Sequence, residues 1–395
     1  MGLTSDDLVA ALTVCLGEES TGLADTLDMM RRDPVTPTIL SAWLQEGREL
    51  NPALRFELDT EVARIEYYRR LDARLTSKIP GLSSVKGLEI LELYPAGLTR
   101  HQNDLDYVAS EADLWQACDQ LISDGWELDT ATFLYFDDSI QVMASMRLEN
   151  DDPYGIPYGV ELSTFYSMGN YGAIRPLARM PEKWRSPAIK NIIMLLYERY
   201  EQPFRARDLY DAVLLHEALT DGELSILHRA VVKLSLGVEY SELHQLVAEA
   251  GLGPLPAWPA RRLAASVIRA RRLALGASHF LRPVAGTGRQ MQRRMITGEL
   301  GKREARAWEL VQRHLSVPQG LSAGLLAFGL PMEGPRPKVT STVLYRHKDL
   351  AWADTPVARL LLTIGDYVTE DKFDQLTERI AARADDGAAS ATEPA

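Results

Sequence analysis

Cysteine is nearly absent from this chain, with Cys15 and Cys118 the only two in 395 residues. Two thiols cannot build a disulfide framework and fit no metal-cluster spacing, so the chain reads as one suited to a reducing cytoplasm. Long apolar runs are missing too: no stretch approaches the roughly 18 apolar residues that cross a bilayer. The opening MGLTSDDLVAAL lacks the basic and apolar regions of a secretion signal. The expectation is a soluble, cytoplasmic protein with no membrane partner. Several common catalytic signatures are also absent. There is no G-x-x-x-x-G-K-[ST], no strand leading into G-x-G-x-x-G, and no G-x-S-x-G elbow. The Gly-rich fragment GTGRQ at 286–290 reads as a loop. His216, His228 and His244 fall on expected helices without a paired metal-ligand spacing. No internal repeat of 20–50 residues is visible.

What is present supports a sizeable core. Hydrophobic residues make up 46% of the chain and charged residues 25%, and the length suits two or three domains. The net charge of −12 disfavours indiscriminate nucleic-acid binding, but the charge is unevenly placed. Between Pro259 and His314 thirteen Arg or Lys face only Glu299, Glu304 and Glu309, which leaves that segment about +10 and the remainder about −22. Such a segment can meet phosphates, of RNA or of a nucleotide. It serves equally as a solvated helix face or as an internal contact with the acidic remainder.

The patterning predicts an α+β chain. Apolar residues recur at helical spacing through DDLVAALTVCL and LDTEVARIEYYRRLDARL, so residues 5–77 read as helices punctuated by Pro34, Pro37 and Pro52. From 81 to about 165 come a short helix at GLEILELY, a strand, a helix through EADLWQACDQLISDG, and β-rich TATFLYF, SIQVMASMRL and YGVELSTFY. Residues 187–250 return to helix, and the proline-rich GLGPLPAWPA marks a boundary. Arg-rich helices, a loop at GLPMEGPRPK, a possible strand at VTSTVLY and a closing helical segment over 354–384 follow, with a disordered tail. The expected organisation is an N-terminal helical region (1–80), a mixed-sheet core (81–180), a helical subdomain (181–255), an Arg-rich, mostly helical C-terminal domain (256–385) and the tail (386–395).

The chemistry gathers around TRHQNDLDYVAS at 99–110. Residues two apart on a strand share a face, so Asp104 and Asp106 should point the same way. Like charges that close repel unless a cation or a proton intervenes. On spacing alone a solvated strand end is the commoner reading. Upstream lie Val85-Lys86-Gly87, Tyr94-Pro95 and Gly97-Leu98-Thr99-Arg100, and downstream a helix ends in Asp124-Gly125-Trp126. In this order and spacing residues 81–128 resemble the nucleotidyltransferase superfamily with the DNA polymerase β-like core. The likeness is closest to a bacterial group that carries Lys-Gly where better-known members have Gly-Ser. A second block, Lys190 in SPAIKNIIMLLYERY followed by Arg205-Ala206-Arg207-Asp208-Leu209-Tyr210-Asp211, resembles the helical half of AbiE-type toxin nucleotidyltransferases. Together the blocks cover about 130 residues.

The resemblance implies a nucleotidyltransferase-like mixed β-sheet core flanked by helical regions. It implies transfer of a nucleoside monophosphate from an NTP to an acceptor hydroxyl, with Mg²⁺ (or Mn²⁺) held by Asp104, Asp106 and a third carboxylate. Glu161 in GVELSTFY is the best match for the third, and also the candidate general base; Asp137 and Asp138 compete, but FDDSI reads better as a hairpin turn. Gly87 would let the backbone approach the triphosphate, while Lys86, Arg100 and Lys190 would neutralise its charge. Asp208 and Asp211 share a helix face, and Asp211 would support the site. With no Gly-Ser serine, the hydroxyl contact to phosphate would come from elsewhere, for example Ser83 or Ser84. The acceptor is left open between an RNA or tRNA end gripped by the Arg-rich 261–313 segment and a small molecule, peptide or protein. A degenerate nucleotidyltransferase acting only as a binding module is the non-enzymatic alternative.

Overall fold

A computed structural model describes residues 4–17, 23–136, 139–150, 155–169, 176–199, 202–256, 258, 270, 291–292, 294–295, 301–347 and 350–365. Their architecture is α+β. The chain divides into two compact units: Met1–Lys78, Ser83–Asp106 and Tyr166–Ala277 form the first, and Ile79–Leu82, Tyr107–Phe165 and Ser278–Ala395 the second.

The first unit is mainly helical. It holds α1 (Ser5–Leu16), α2 (Leu23–Arg31), α3 (Thr36–Gln45), α4 (Pro52–Lys78), α5 (Gly87–Leu91), α7 (Pro187–Glu198), α8 (Ala206–Glu217), α9 (Asp221–Leu234) and α10 (Gly237–Glu249). The helix starts follow from local chemistry. Thr4 and Thr220 accept hydrogen bonds from backbone N–H groups of the first turns of α1 and α9, satisfying donors that a helix start leaves open. Proline occupies the first turn of α3 and of α7, where no N–H is needed. Helix α7 is almost wholly buried, from Ala188 to Tyr197, and packs against α8 and α9. Burial of Ile189, Ile192, Ile193 and Leu196 there, at about 1.5–3 kcal/mol each, makes α7 the axis of the unit. Strand β1 (Ser83–Val85) lies beside β2 (Asp104–Val108), whose first half belongs to this unit.

The second unit is built on a sheet. From the second half of β2 the order is β5 (Tyr158–Ser163), β4 (Ser139–Leu148), β3 (Glu127–Phe136), β6 (Ala327–Pro331), β9 (Arg359–Thr363), β8 (Leu350–Asp354) and β7 (Val343–His347). From β5 onward every neighbouring pair is antiparallel. The β3–β4 hairpin pairs Phe136 with Ser139, and the intervening Asp137 and Asp138 lie outside the described residues. Helix α6 (Glu111–Ser123) packs on β3, β4 and β5. Two later helices are α11 (Lys302–His314) and α12 (Val317–Ser322), the second against β3, β6 and β8. The stretch expected to be mostly helical, 256–385, thus supplies four strands among its described residues. Residues 359–363 are strand rather than closing helix, because Leu360, Leu361 and Leu362 are buried on both faces and show neither period. Gly329, Leu330 and Pro331, expected as loop, end β6. The Arg-rich segment lies largely outside the described residues, as do residues 366–395. Among the described residues no helix is long and apolar enough to cross a membrane.

Candidate functional site

Strand β2 buries Leu105 and Tyr107 completely and leaves Asp104, Asp106 and Val108 half-buried on the opposite face. The two aspartates therefore share a face, as a strand's period of two requires. Burial pushes the Asp104 carboxyl above the usual carboxylate range; nearby Lys86, Arg207 and Arg100 pull it down, and Glu198 pushes it up.

The segment that leads into β2 is held residue by residue. Thr38 on α3 donates its hydroxyl to the Thr99 carbonyl (2.9 Å), and the Thr99 N–H donates to the Ser41 hydroxyl (2.9 Å). Gln45 donates to the Ala96 carbonyl (2.7 Å). From α4, the Glu61 carboxylate accepts from the Gln102 N–H (2.6 Å) and faces His101 Nδ1 at 3.2 Å, while Tyr68 donates to the Asn103 carbonyl. Gln102 is buried: its Oε1 accepts from Arg100 (3.2 Å), and its Nε2 donates to the Asp104 carbonyl and crowds Gly87. A Cβ at Gly87 would stand 2.7 Å from that nitrogen and displace it, and the backbone there has φ +41°, which favours glycine.

Lys86 sits at the junction of β1 and α5 with φ 59° and ψ −135°, a conformation glycine tolerates and lysine does not favour. Its N–H donates to Asn191 Oδ1 (2.7 Å), and its Nζ pairs with Glu198 at the end of α7. Lys190, one turn into α7, is buried. It donates to the Ser84 carbonyl (2.5 Å) and to Glu89 (2.8 Å), whose second oxygen accepts from Asn191 (2.9 Å). Lys190 and Asn191 thus clamp β1 and α5 onto α7.

Arg100 and Asp211 form the most enclosed ion pair among the described residues, with side chains 5% and 1% exposed. The guanidinium donates through Nε (3.1 and 3.2 Å) and Nη2 (2.8 Å) to the Asp211 carboxylate, which also accepts from the Tyr94 hydroxyl (2.7 Å). Burial alone would pull the Arg100 proton affinity down; Asp211 more than offsets this and raises it. Tyr94 meets Tyr210 edge to face at 5.0 Å. Asp208 starts α8 by accepting from the Arg205 N–H (2.9 Å), and burial pushes its carboxyl up to about 6. Arg207 reaches Asp208 at 3.7 Å.

Of the residues expected to form one site, the first unit holds Lys86, Gly87, Arg100, Asp104, Asp106, Lys190, Asp208 and Asp211. Glu161 belongs to the second unit, on β5 opposite Ser145, half-buried between the fully buried Val160 and Leu162. Asp104 and Asp106 supply hard oxygen donors on one face, the donor chemistry Mg²⁺ takes when water and phosphate fill its remaining positions. Among the described residues no three or more His, Cys, Asp and Glu side chains group closely enough to hold a metal ion. The residues that sequence reasoning missed are Glu61, Glu89, Gln102, Asn191 and Glu198. One signal was there for Glu198: an acid closing a helix opposes the helix dipole and calls for a cation elsewhere. No protein-family model, no curated protein and no solved structure matches the chain.

Proposed function

We propose that the protein is a metal-dependent nucleotidyltransferase acting on an NTP. The observation that carries the reading is the half-buried Asp104–Asp106 pair on one face of β2, with Lys86 and Arg207 close enough to Asp104 to lower its proton affinity. In this reaction the acceptor oxygen bonds to the α-phosphorus, the α–β bridging P–O bond breaks, pyrophosphate leaves, and the hydroxyl proton passes to a base. Asp104 and Asp106 would hold Mg²⁺, which when bound offsets the triphosphate's negative charge and eases loss of the acceptor proton. Lys86 adds a cation beside the strand; the resemblance gives Gly87 the approach to phosphate, while the space beside its Cα is taken by the Gln102 amide. Arg100 with Asp211, and Lys190 with Glu89, act from behind by fixing the segments that carry Asp104 and Lys86. The resemblance gives Glu161 the part of third ligand and base, which its own substitution tests.

The test is incubation of the full chain with each labelled NTP and Mg²⁺, with and without total RNA. Label on RNA marks an RNA acceptor for the Arg-rich segment, and that transfer weakens steeply with salt. Label on protein or on metabolites of an extract marks the other acceptor class. Asp104→Asn, Asp106→Asn and Glu161→Gln should each lower transfer about a hundredfold or more while the chain stays folded. Wild-type turnover in either aspartate variant would sink the reading.

One observation favours a second reading, a nucleotidyltransferase-like module that binds without transferring. Lys86, Arg100 and Lys190 each already face a carboxylate of the protein. No label in any arm, with no shift in melting temperature on adding NTP, selects a module that does not use NTP at all.

A further inference from the structure

We propose that Glu198 is an internal competitor of the nucleotide: its carboxylate holds the Lys86 ammonium, and a nucleoside triphosphate binds by exchanging that carboxylate for a phosphate oxygen. The proposal rests on the nucleotidyltransferase reading and names a residue that sets its nucleotide affinity.

Besides Arg207, which reaches Asp208 at 3.7 Å, three cations stand around the Lys86–Arg100 region, and their partners differ in kind. Arg100 and Asp211 make a three-contact fork, both nearly inaccessible, with Tyr94 adding a hydrogen bond. Separating them would strand a buried charge, which is strongly unfavourable. Lys190 is 5% exposed and spans two acceptors, the Ser84 carbonyl and Glu89. Both pairs are structural. Lys86 and Glu198 are 20% and 25% exposed, so water and a ligand can reach both partners, which neither of the other two pairs allows.

The local sequence gives Glu198 no other reason to close α7. A carboxylate at a helix C-terminus meets the negative end of the dipole, and the last turn of α7 contains no basic residue to offset it. The neighbouring Arg199 is engaged with Glu242 at 2.7 and 2.9 Å. Glu198 also lies close enough to Asp104 and Asp208 to repel both. Its charge therefore stands where a phosphate would stand, beside the lysine and among acids that a cation would neutralise.

The exchange requires little motion. The Lys86 backbone is fixed by its N–H bond to Asn191 and by the turn into α5, so only the lysine side chain and the end of α7 need to move. A phosphate oxygen of the arriving triphosphate takes the place of the Glu198 carboxylate on the Lys86 ammonium, and the released carboxylate is left to water.

The experiment measures dissociation constants by calorimetry on the full chain, using the Mg²⁺ complexes of ATP, GTP, CTP, UTP and inorganic triphosphate. The proteins compared are wild type, Glu198→Gln, Glu198→Ala, Lys86→Ala and the Glu198→Gln/Lys86→Ala double variant, each checked by its melting curve. Removing the competing charge should tighten binding about five- to tenfold in both Glu198 variants, for inorganic triphosphate as for the nucleotide. Lys86→Ala should weaken binding, and the gain from Glu198→Gln should vanish in the double variant. A merely structural Glu198 predicts the opposite sign, weaker binding together with a lower melting temperature. Binding by wild type with no gain in either Glu198 variant, or a gain that survives in the Lys86→Ala background, overturns the proposal and leaves the nucleotidyltransferase reading standing. Failure of all five proteins to bind any of the five probes overturns both.

Discussion

A lysine is an awkward residue for the backbone that position 86 demands. At φ 59° and ψ −135° its Cβ is crowded in a way glycine avoids, at a cost of about 1–3 kcal/mol. Lys86→Gly relieves that strain and Lys86→Ala keeps it, although both lose the ion pair. The glycine variant should therefore be the more stable of the two by about 1 kcal/mol in urea unfolding, the reverse of the usual order for these residues. Equal or inverted stabilities would show that the backbone there is not strained. Arg100 poses the complementary case, in which the cost lies in charge rather than geometry. Asp211→Asn keeps the shape but leaves the guanidinium buried without its counter-ion, and should destabilise the chain by about 3 kcal/mol. Replacing both partners by apolar residues should cost less than Asp211→Asn alone, because no charge is then left behind.

Helices α8, α9 and α10 bring three histidines around one tyrosine. His216 donates Nδ1–H to the Ala212 carbonyl (2.6 Å), so its Nε2 accepts from the Tyr240 hydroxyl (2.8 Å) and the ring is neutral. The His244 ring meets Tyr240 edge-on at 4.5 Å, His228 lies 6.0 Å from it, and Trp258 closes over both Tyr240 and His228 at 5.0 Å. Burial pulls His216 and His244 down to about 4, with the other histidines adding to the effect. The folded form thus binds fewer protons than the unfolded one. The stability these rings contribute is full above about 6.5 and is lost as pH falls toward 4. Two acids oppose them in the same window: burial raises Glu239 on α10 to about 7 and Asp208 on α8 to about 6, so their protonation favours the fold as pH drops. His244→Phe isolates one side of this balance, since His244 Nε2 is buried without a hydrogen bond among the described residues. The variant should melt within a few degrees of wild type at pH 7 and lose less between pH 6.5 and 4; parallel curves would refute the assignment. The helices themselves were legible from apolar spacing, and β3, β4 and β5 from β-rich composition, with β5 also alternating. Strand β9 was not, because a run of leucines buried on both faces carries no period. The pairing of Asp104 with Asp106 on one face was legible for the same reason that β5 was. The partners of Lys86 and Arg100 were not, because Glu198 and Asp211 lie 112 and 111 positions away and no spacing rule reaches that far.

At the scale of the molecule, neither unit is a continuous piece of chain. The first needs residues 166–277 to complete a core begun by α1 and α3, since α1 packs on α8 and β1 on α7. A chain ending at residue 165 should therefore show no cooperative thermal transition for the first unit; a sharp melt with full helical circular dichroism would disprove this dependence. The same interleaving has a consequence during synthesis. Helices α3 and α4 leave the ribosome before the 96–103 segment, so Ser41, Gln45 and Glu61 are in place when the backbone they hold emerges. Arg100 has no such provision. Its carboxylate follows 111 residues later, roughly 5–20 s at ordinary elongation rates. For that interval a cation destined for full burial must stay hydrated, which makes closure of α8 over the segment a late event in the life of the nascent chain. Ribosome-bound chains stopped just before and just after Asp211 clears the exit tunnel should differ sharply in protease resistance around Arg100.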